Sequence, residues 1–138
     1  MMLKRTAVFL MLLVLVLVPL GAAAEQDAFD EAEAALLAGD YDQAFRKYLR
    51  LARDGSPKAQ YELGLLYLHG KGVRKKVDRG VEWLKEAANN GSYLAANELG
   101  NMYISGKDVL RDEKQAIHWL QQAEKINEST NEADVECE

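Results

Sequence analysis

Residues 59–64 read Ala-Gln-Tyr-Glu-Leu-Gly, and residues 95–100, 36 positions later, read Ala-Ala-Asn-Glu-Leu-Gly. The same offset carries Tyr67 onto Tyr103, Gly70 onto Gly106 and Val73 onto Val109. It also carries Trp83 onto Trp119, Leu84 onto Leu120 and Ala87 onto Ala123. A fixed period in this range marks stacked helical units, none of which can bury its apolar face alone.

Working outward, glycines and capping residues divide each unit into two helices. Gly55-Ser56-Pro57 supplies a helix-ending glycine, an N-cap serine and a proline at the first helical position. Gly91-Ser92 repeats the first two residues of that signal. Asp40 and Asp112 open second helices, each with glutamine three residues on, a capping-box pattern. These signals predict helices at 26–38, 40–53, 57–69, 77–90, 93–104 and 112–126. The few β-branched residues do not alternate, so no strand competes. The expected fold is all-α, a solenoid of three helix pairs. Gly64 and Gly100 lie inside first helices, where glycine costs about 1 kcal/mol relative to alanine. The spacing sets Ala44, Gly80 and Ala116 opposite them, so close helix approach is the expected reason. Tyr67, Tyr103, Trp83 and Trp119 are expected to fill the space between helices.

The string Ala59, Leu63-Gly64, Tyr67, Gly70, Gly72-Val73, Gly80, Trp83, Ala87-Ala88, Gly91 resembles the Sel-one-like repeat (SLR), a relative of the tetratricopeptide repeat. A second copy runs Ala95, Leu99-Gly100, Tyr103, Gly106, Val109, Asp112, Ala116, Trp119, Ala123. Lys76 stands where the pattern has aspartate, and Asp108 where it has the second glycine. Gly39-Asp40-Tyr41, Ala44 and Tyr48 look like a plain tetratricopeptide pair. The resemblance implies a right-handed α-solenoid, one tetratricopeptide-like pair followed by two SLR repeats, that acts as a protein–protein scaffold. An exported, cysteine-rich branch of the family is linked to β-lactam binding. Its paired cysteines are missing here, since Cys137 is the only cysteine, so that activity is not carried over.

The amino-terminal end has a different character. Lys4 and Arg5 precede an unbroken apolar run from Ala7 to Val18, and Pro19, Gly21 and Ala22-Ala23-Ala24 follow. That order is a secretory signal peptide over 1–24, with an uncleaved anchor as the rival reading. The solenoid then occupies 25–127. The acidic stretch 128–138 has little to bury and is expected to be disordered. Beyond residue 24 the chain holds 22 acidic and 15 basic residues, a net charge of −7. Such a surface, with export, argues against nucleic-acid binding. The expected location is the periplasm, or outside the cell. Cys137 then meets an oxidising compartment with no internal partner, and a disulfide to a second chain is the alternative to a free thiol.

Chemistry is sparse. His69 and His118 are the only histidines, and no His or Cys pair has metal-ligand spacing, so neither metal nor cofactor is expected. Glu62 and Glu98 recur at matching positions and are expected to be solvated or paired with lysines. As two carboxylates for acid–base work, with His69, they offer a weaker reading as a hydrolase. In tetratricopeptide-like superhelices the first helices line the concave side. On that register a protein or peptide partner would meet Phe29 and Glu33, then Tyr61, Leu65 and Leu68, then Asn97, Asn101 and Ile104. A basic loop of Lys71, Arg74, Lys75, Lys76 and Arg79 is the alternative site, for an anionic partner or cell-wall polymer. The expected function is therefore non-enzymatic: an exported adaptor, or else an envelope-associated accessory factor.

Overall fold

The computed structural model describes residues 21 and 23–135, with side chains to residue 131. The predicted signal peptide lies largely outside the described residues, as does Cys137. Six helices and no strand occur among the described residues. They are α1 (23–37), α2 (Tyr41–Arg53), α3 (Pro57–His69), α4 (Val77–Asn89), α5 (Tyr93–Ser105) and α6 (Glu113–Val135). None is long and apolar enough to cross a membrane.

The connections explain why the helices stack in sequence order. After α2, the Ser56 amide donates back to Leu51 O at 3.1 Å; after α4, the Ser92 amide donates to Ala87 O at 2.9 Å. Each six-to-one bond closes one helix and delivers a serine straight into the N-cap of the next. The longer loops within pairs match each other as well. The Lys76 amide reaches Tyr67 O at 3.0 Å, and the Asp112 amide reaches Tyr103 O at 3.1 Å.

Packing follows the glycines. A Cβ on Gly64 would stand 3.0 Å from Leu84 and 3.1 Å from the Gly80 carbonyl, and one on Gly80 would meet Leu68 Cγ at 2.7 Å. Here α3 and α4 touch backbone to backbone, which is what the two glycines permit. Gly100 repeats the arrangement against Leu120, at 2.6 Å. Two apolar clusters result, one around Ala32, Tyr48 and Leu63, the other around Leu84, Ala95, Leu99 and Trp119. Fully burying a leucine such as Leu63, Leu84 or Leu99 stabilises by about 1.5–3 kcal/mol.

Two expectations need correction. The acidic stretch from 128 is not disordered throughout: α6 runs to Val135, well past the predicted end at 126. No glycine or proline follows Gly106, and a helix nucleated by its packed part extends at little cost. Ser129 and Thr130 hydroxyls also donate back to Ile126 O, at 2.8 and 2.6 Å. The capping boxes are only half formed. Asp40 accepts from the Gln43 amide at 3.1 Å. The Asp40 amide, however, bonds Ala35 O rather than the Gln43 side chain.

Lys76 exposes a local conflict. It occupies the N-cap of α4 and makes no side-chain cap. Thirty-six residues on, Asp112 accepts from Lys114 and Gln115 amides at 2.9 and 3.1 Å. A cation also sits badly at the positive end of a helix. Lys76→Asp is therefore expected to stabilise the chain by about 1 kcal/mol, read as a raised urea midpoint with unchanged slope.

Candidate binding surface

The first helices place Phe29, Tyr61 and Leu65 half-buried along one face. The Phe29 ring meets Tyr48 edge-on at 5.5 Å, and Tyr61 and Leu65 rest on the cluster that includes Ala95, Ala96 and Leu99 of α5. Glu33 and Asn101 are exposed and Asn97 is half-buried on the same face. Leu68 departs from the expected register. It is only 5 % exposed, because the missing side chain of Gly80 draws it into the helix contact, and no partner can reach it. Its counterpart Ile104 is 48 % exposed; where Leu68 meets Gly80, the third pair has Ala116 at that position.

Three carboxylates, those of Glu33, Glu62 and Glu98, stand on the first helices, with Lys58 beside the Phe29 ring. Glu33, Glu62 and Glu98 take part in none of the ion pairs formed among the described residues, which are Lys47–Glu31, Lys75–Asp108, Arg79–Glu82 and Arg111–Glu113. Burial and then the charge of Glu33 hold the Glu62 carboxyl above the ordinary range. Burial, Glu98 and Glu62 push the Tyr61 hydroxyl up, and burial, Glu62 and Glu33 do the same to Tyr48. Of the two expected alternatives for Glu62 and Glu98, solvation or pairing with lysines, the pairing is absent from these ion pairs, and both side chains are half-exposed.

Glu62 therefore links stability to pH. The folded chain holds this proton more tightly than the unfolded chain, so ionising Glu62 destabilises the fold as pH rises through its raised pKa. Glu62→Gln is expected to be more stable than the parent at pH 7 and equally stable in acid, where both side chains are neutral. Urea unfolding at the two pH values checks it; a variant less stable at pH 7 would show that the carboxylate has a stabilising contact.

The basic loop is largely occupied by its own neighbours. Lys71 Nζ stands 5.1 Å from the centre of the Tyr41 ring, Lys75 pairs with Asp108 at 3.0 Å, and Arg79 pairs with Glu82 at 2.9 Å. Arg74 and Lys76 alone of the five take part in no such contact among the described residues.

The structure does not bring His69 and Glu62 together as a dyad. His69 is exposed, and its Nδ1–H donates to Leu65 O at 2.9 Å. Glu62 lies seven residues earlier on the same helix, about 10 Å away at 1.5 Å per residue, too far for a hydrogen-bonded dyad. No group of three or more His, Cys, Asp or Glu residues among those described is placed to hold a metal.

Sequence reasoning missed a cleft between α2 and α4, lined by Arg53, Gln60, Arg79, Trp83, Glu86 and Asn90 among others. Gln60, 2 % exposed, donates to Ala52 O at 3.1 Å and accepts from Asn90 Nδ2 at 2.9 Å. The signal was a mismatch inside the repeated hexamer, Gln60 against Ala96. At the next interface Gln122 reaches across to Ala88 O at 3.0 Å.

The Sel1 repeat family profile matches residues 57–92 and 94–125. This chain is a Sel1-repeat protein. Its fold is similar to that of a Sel1 repeat protein from Oxalobacter formigenes, at 30% identity and a TM-score of 0.56, over 62% of this chain and 35% of that one. It is also similar to a protective antigen present in uropathogenic Escherichia coli strains, which displays an SLR fold. There the identity is 27% and the TM-score 0.65, over 76% of this chain and 23% of the antigen. A chitin synthase regulator of Saccharomyces cerevisiae is 43% identical over 49 residues, which are 36% of this chain and 7% of that protein. The Sel1-repeat chain thus spans a minor part of each relative. Sel1 repeats generally mediate protein–protein interaction, and the helix-pair stack described above is their scaffold.

Proposed function

We propose that this Sel1-repeat protein is an exported adaptor that binds a protein partner through the face of α1, α3 and α5, in the periplasm. The observation that carries the reading is the set of half-exposed apolar side chains on the first helices, Phe29, Tyr61 and Leu65. Apolar residues left open beside unpaired charges suit a docked segment of another chain. Export is supported by Lys4-Arg5, the apolar run 7–18 and the small residues 22–24. Cell-envelope association through the basic loop is the weaker reading, since most of that loop's cations already have partners.

Tyr61→Ala combined with Leu65→Ala is expected to lower capture of the partner in crosslinked cells by about tenfold or more while helicity by circular dichroism is unchanged. Undiminished capture would reject this face. Export is tested separately by fractionation and by sequencing the mature amino terminus, expected to begin at Glu25; a chain retained in the cytoplasm would end that part of the reading.

A further inference from the structure

Trp83 and Trp119 occupy one repeat position, yet a cleft is open beside the first, while the second is covered. The difference starts at a helix end. Ala52 O, near the end of α2, accepts from Gln60 Nε2 of α3 at 3.1 Å. Its counterpart 36 residues on, Ala88 O, accepts from Gln122 Nε2 of α6 at 3.0 Å. A buried carbonyl needs one such donor. The first interface takes it from a first helix, the second from a second helix. With Gln60 already on Ala52 O, the position of Gln122 is held at the first interface by Glu86, which is exposed instead of lying across the gap. Ile126 packs on the cluster that holds Trp119, and its counterpart is the exposed Asn90. Trp119 is accordingly 5 % exposed, whereas Trp83 is half-exposed on the wall of a cleft of about 480 Å³. Small-molecule sites run from about 300 to 1,000 Å³.

The lining selects the ligand. Its charged residues are Arg53 and Arg79 against Glu82 and Glu86, so the cleft carries no net charge and does not favour a polyanion. Trp83 and Ala52 supply its apolar side chains, too few for an apolar molecule. The other groups are guanidinium, carboxylate and carboxamide, each planar with adjacent hydrogen-bonding atoms. Several have capacity left. Arg53 and Glu86 enter none of the ion pairs of the described residues. Gln60 Nε2 uses one of its two hydrogens, on Ala52 O. Paired donors and acceptors around one aromatic face suit a ring with apolar C–H groups on its flat side and hydroxyls at its rim. We propose that the cleft between α2 and α4 binds a short, uncharged oligosaccharide, one pyranose ring lying on Trp83 and its hydroxyls bonded to Arg53, Gln60 and Glu86. The site needs none of Phe29, Tyr61 and Leu65, so its failure leaves the adaptor reading where it stands.

The test follows the two indole N–H signals of the isotope-labelled full chain by nuclear magnetic resonance, the Trp83 signal being the one lost in Trp83→Phe. Cellotriose, maltotriose and mannotriose are the neutral probes, and trigalacturonic acid is the anionic one. At least one neutral trisaccharide is expected to shift the Trp83 signal saturably at millimolar concentration and to leave the Trp119 signal in place. Its affinity is expected to be the same at low and high salt, since no charge is shared. The anionic probe is expected to bind about tenfold or more weakly. Arg53→Ala changes an exposed side chain outside the ion pairs and is expected to weaken the neutral probe by about tenfold or more with helicity unchanged. Glu86→Gln with Asn90→Ile installs the residues of the covered interface and is expected to abolish binding. No shift with any of the three neutral probes, tighter binding of the anionic one, or binding unchanged in Arg53→Ala and in the double variant would overturn the inference.

Discussion

Leu84→Ala is expected to destabilise the chain by about 3–5 kcal/mol, the upper part of the range for large-to-small core substitutions. Leu84 is fully buried, and it fills the space that the absent side chain of Gly64 leaves on the facing helix. Both elements are held by this contact, so the cavity has backbone on its far side and cannot collapse easily. A solenoid is stabilised by nearest-neighbour contacts, and losing one such contact at the middle pair weakens both its neighbours. A double-mutant cycle gives the sharper check. Gly64→Ala alone sets a Cβ at 3.0 Å from Leu84, whereas on the Leu84→Ala background that obstacle is gone and the better helix propensity of alanine remains. Gly64→Ala should therefore be more favourable by about 1 kcal/mol or more on the second background. Additive behaviour in urea unfolding would show that the two residues do not share the space.

The residues of that contact are legible in the sequence. The 36-residue offset by itself singles out Gly64, Gly80 and Gly100, because a helix tolerates an interior glycine only under a strong packing demand. The same offset predicts both tryptophans between helices, and both are there. They differ in a way the repeat pattern does not show: Trp119 is buried with its indole N–H unpartnered, while Trp83 is half-exposed and lines the α2–α4 cleft.

What the sequence hides depends on contacts rather than on pattern. Leu68 and Ile104 occupy one repeat position, yet the first is buried and the second open; Leu68 fills the space beside Gly80, and the third pair has Ala116 there instead. Leu110 and Ile117 are likewise open, 91 % and 56 % exposed. The basic loop looks like a free cationic patch in one dimension. Folding brings Tyr41 to Lys71 and Asp108 to Lys75 and removes most of it. The acidic face is the reverse case. In one dimension Glu62 and Glu98 have lysines enough to pair with, and only the folded chain shows that neither enters the ion pairs of the described residues. Composition misjudges the acidic end because polar residues with good helix propensity need no core when they extend a helix already packed.

Gly72→Ala is expected to cost about 3 kcal/mol, combining a left-handed backbone for a residue with a side chain, about 1 kcal/mol, and an overpacking term of about 1–3 kcal/mol. Gly72 has φ +67°, and a Cβ there would fall 2.0 Å from the Tyr41 carbonyl oxygen. The obstacle is backbone at the first turn of α2, which cannot rotate aside. The loop between α3 and α4 would have to lift from α2, taking Lys71 away from the Tyr41 ring. The backbone angle is not the decisive part. Thirty-six residues on, Asp108 holds φ 65° with a full side chain and pairs with Lys75, so this loop shape accepts non-glycine residues where nothing stands behind it. Asp108→Ala is therefore the control, keeping the angle and losing only a partly exposed ion pair, worth about 0–1 kcal/mol. Urea unfolding of the two variants separates the contributions, and hydrogen exchange of amides 71–75 shows whether the loop has lifted. Equal costs for Gly72→Ala and Asp108→Ala would mean that the first loop does not rest on α2, and that Lys71 is as free to bind an anion as its run of basic neighbours suggests.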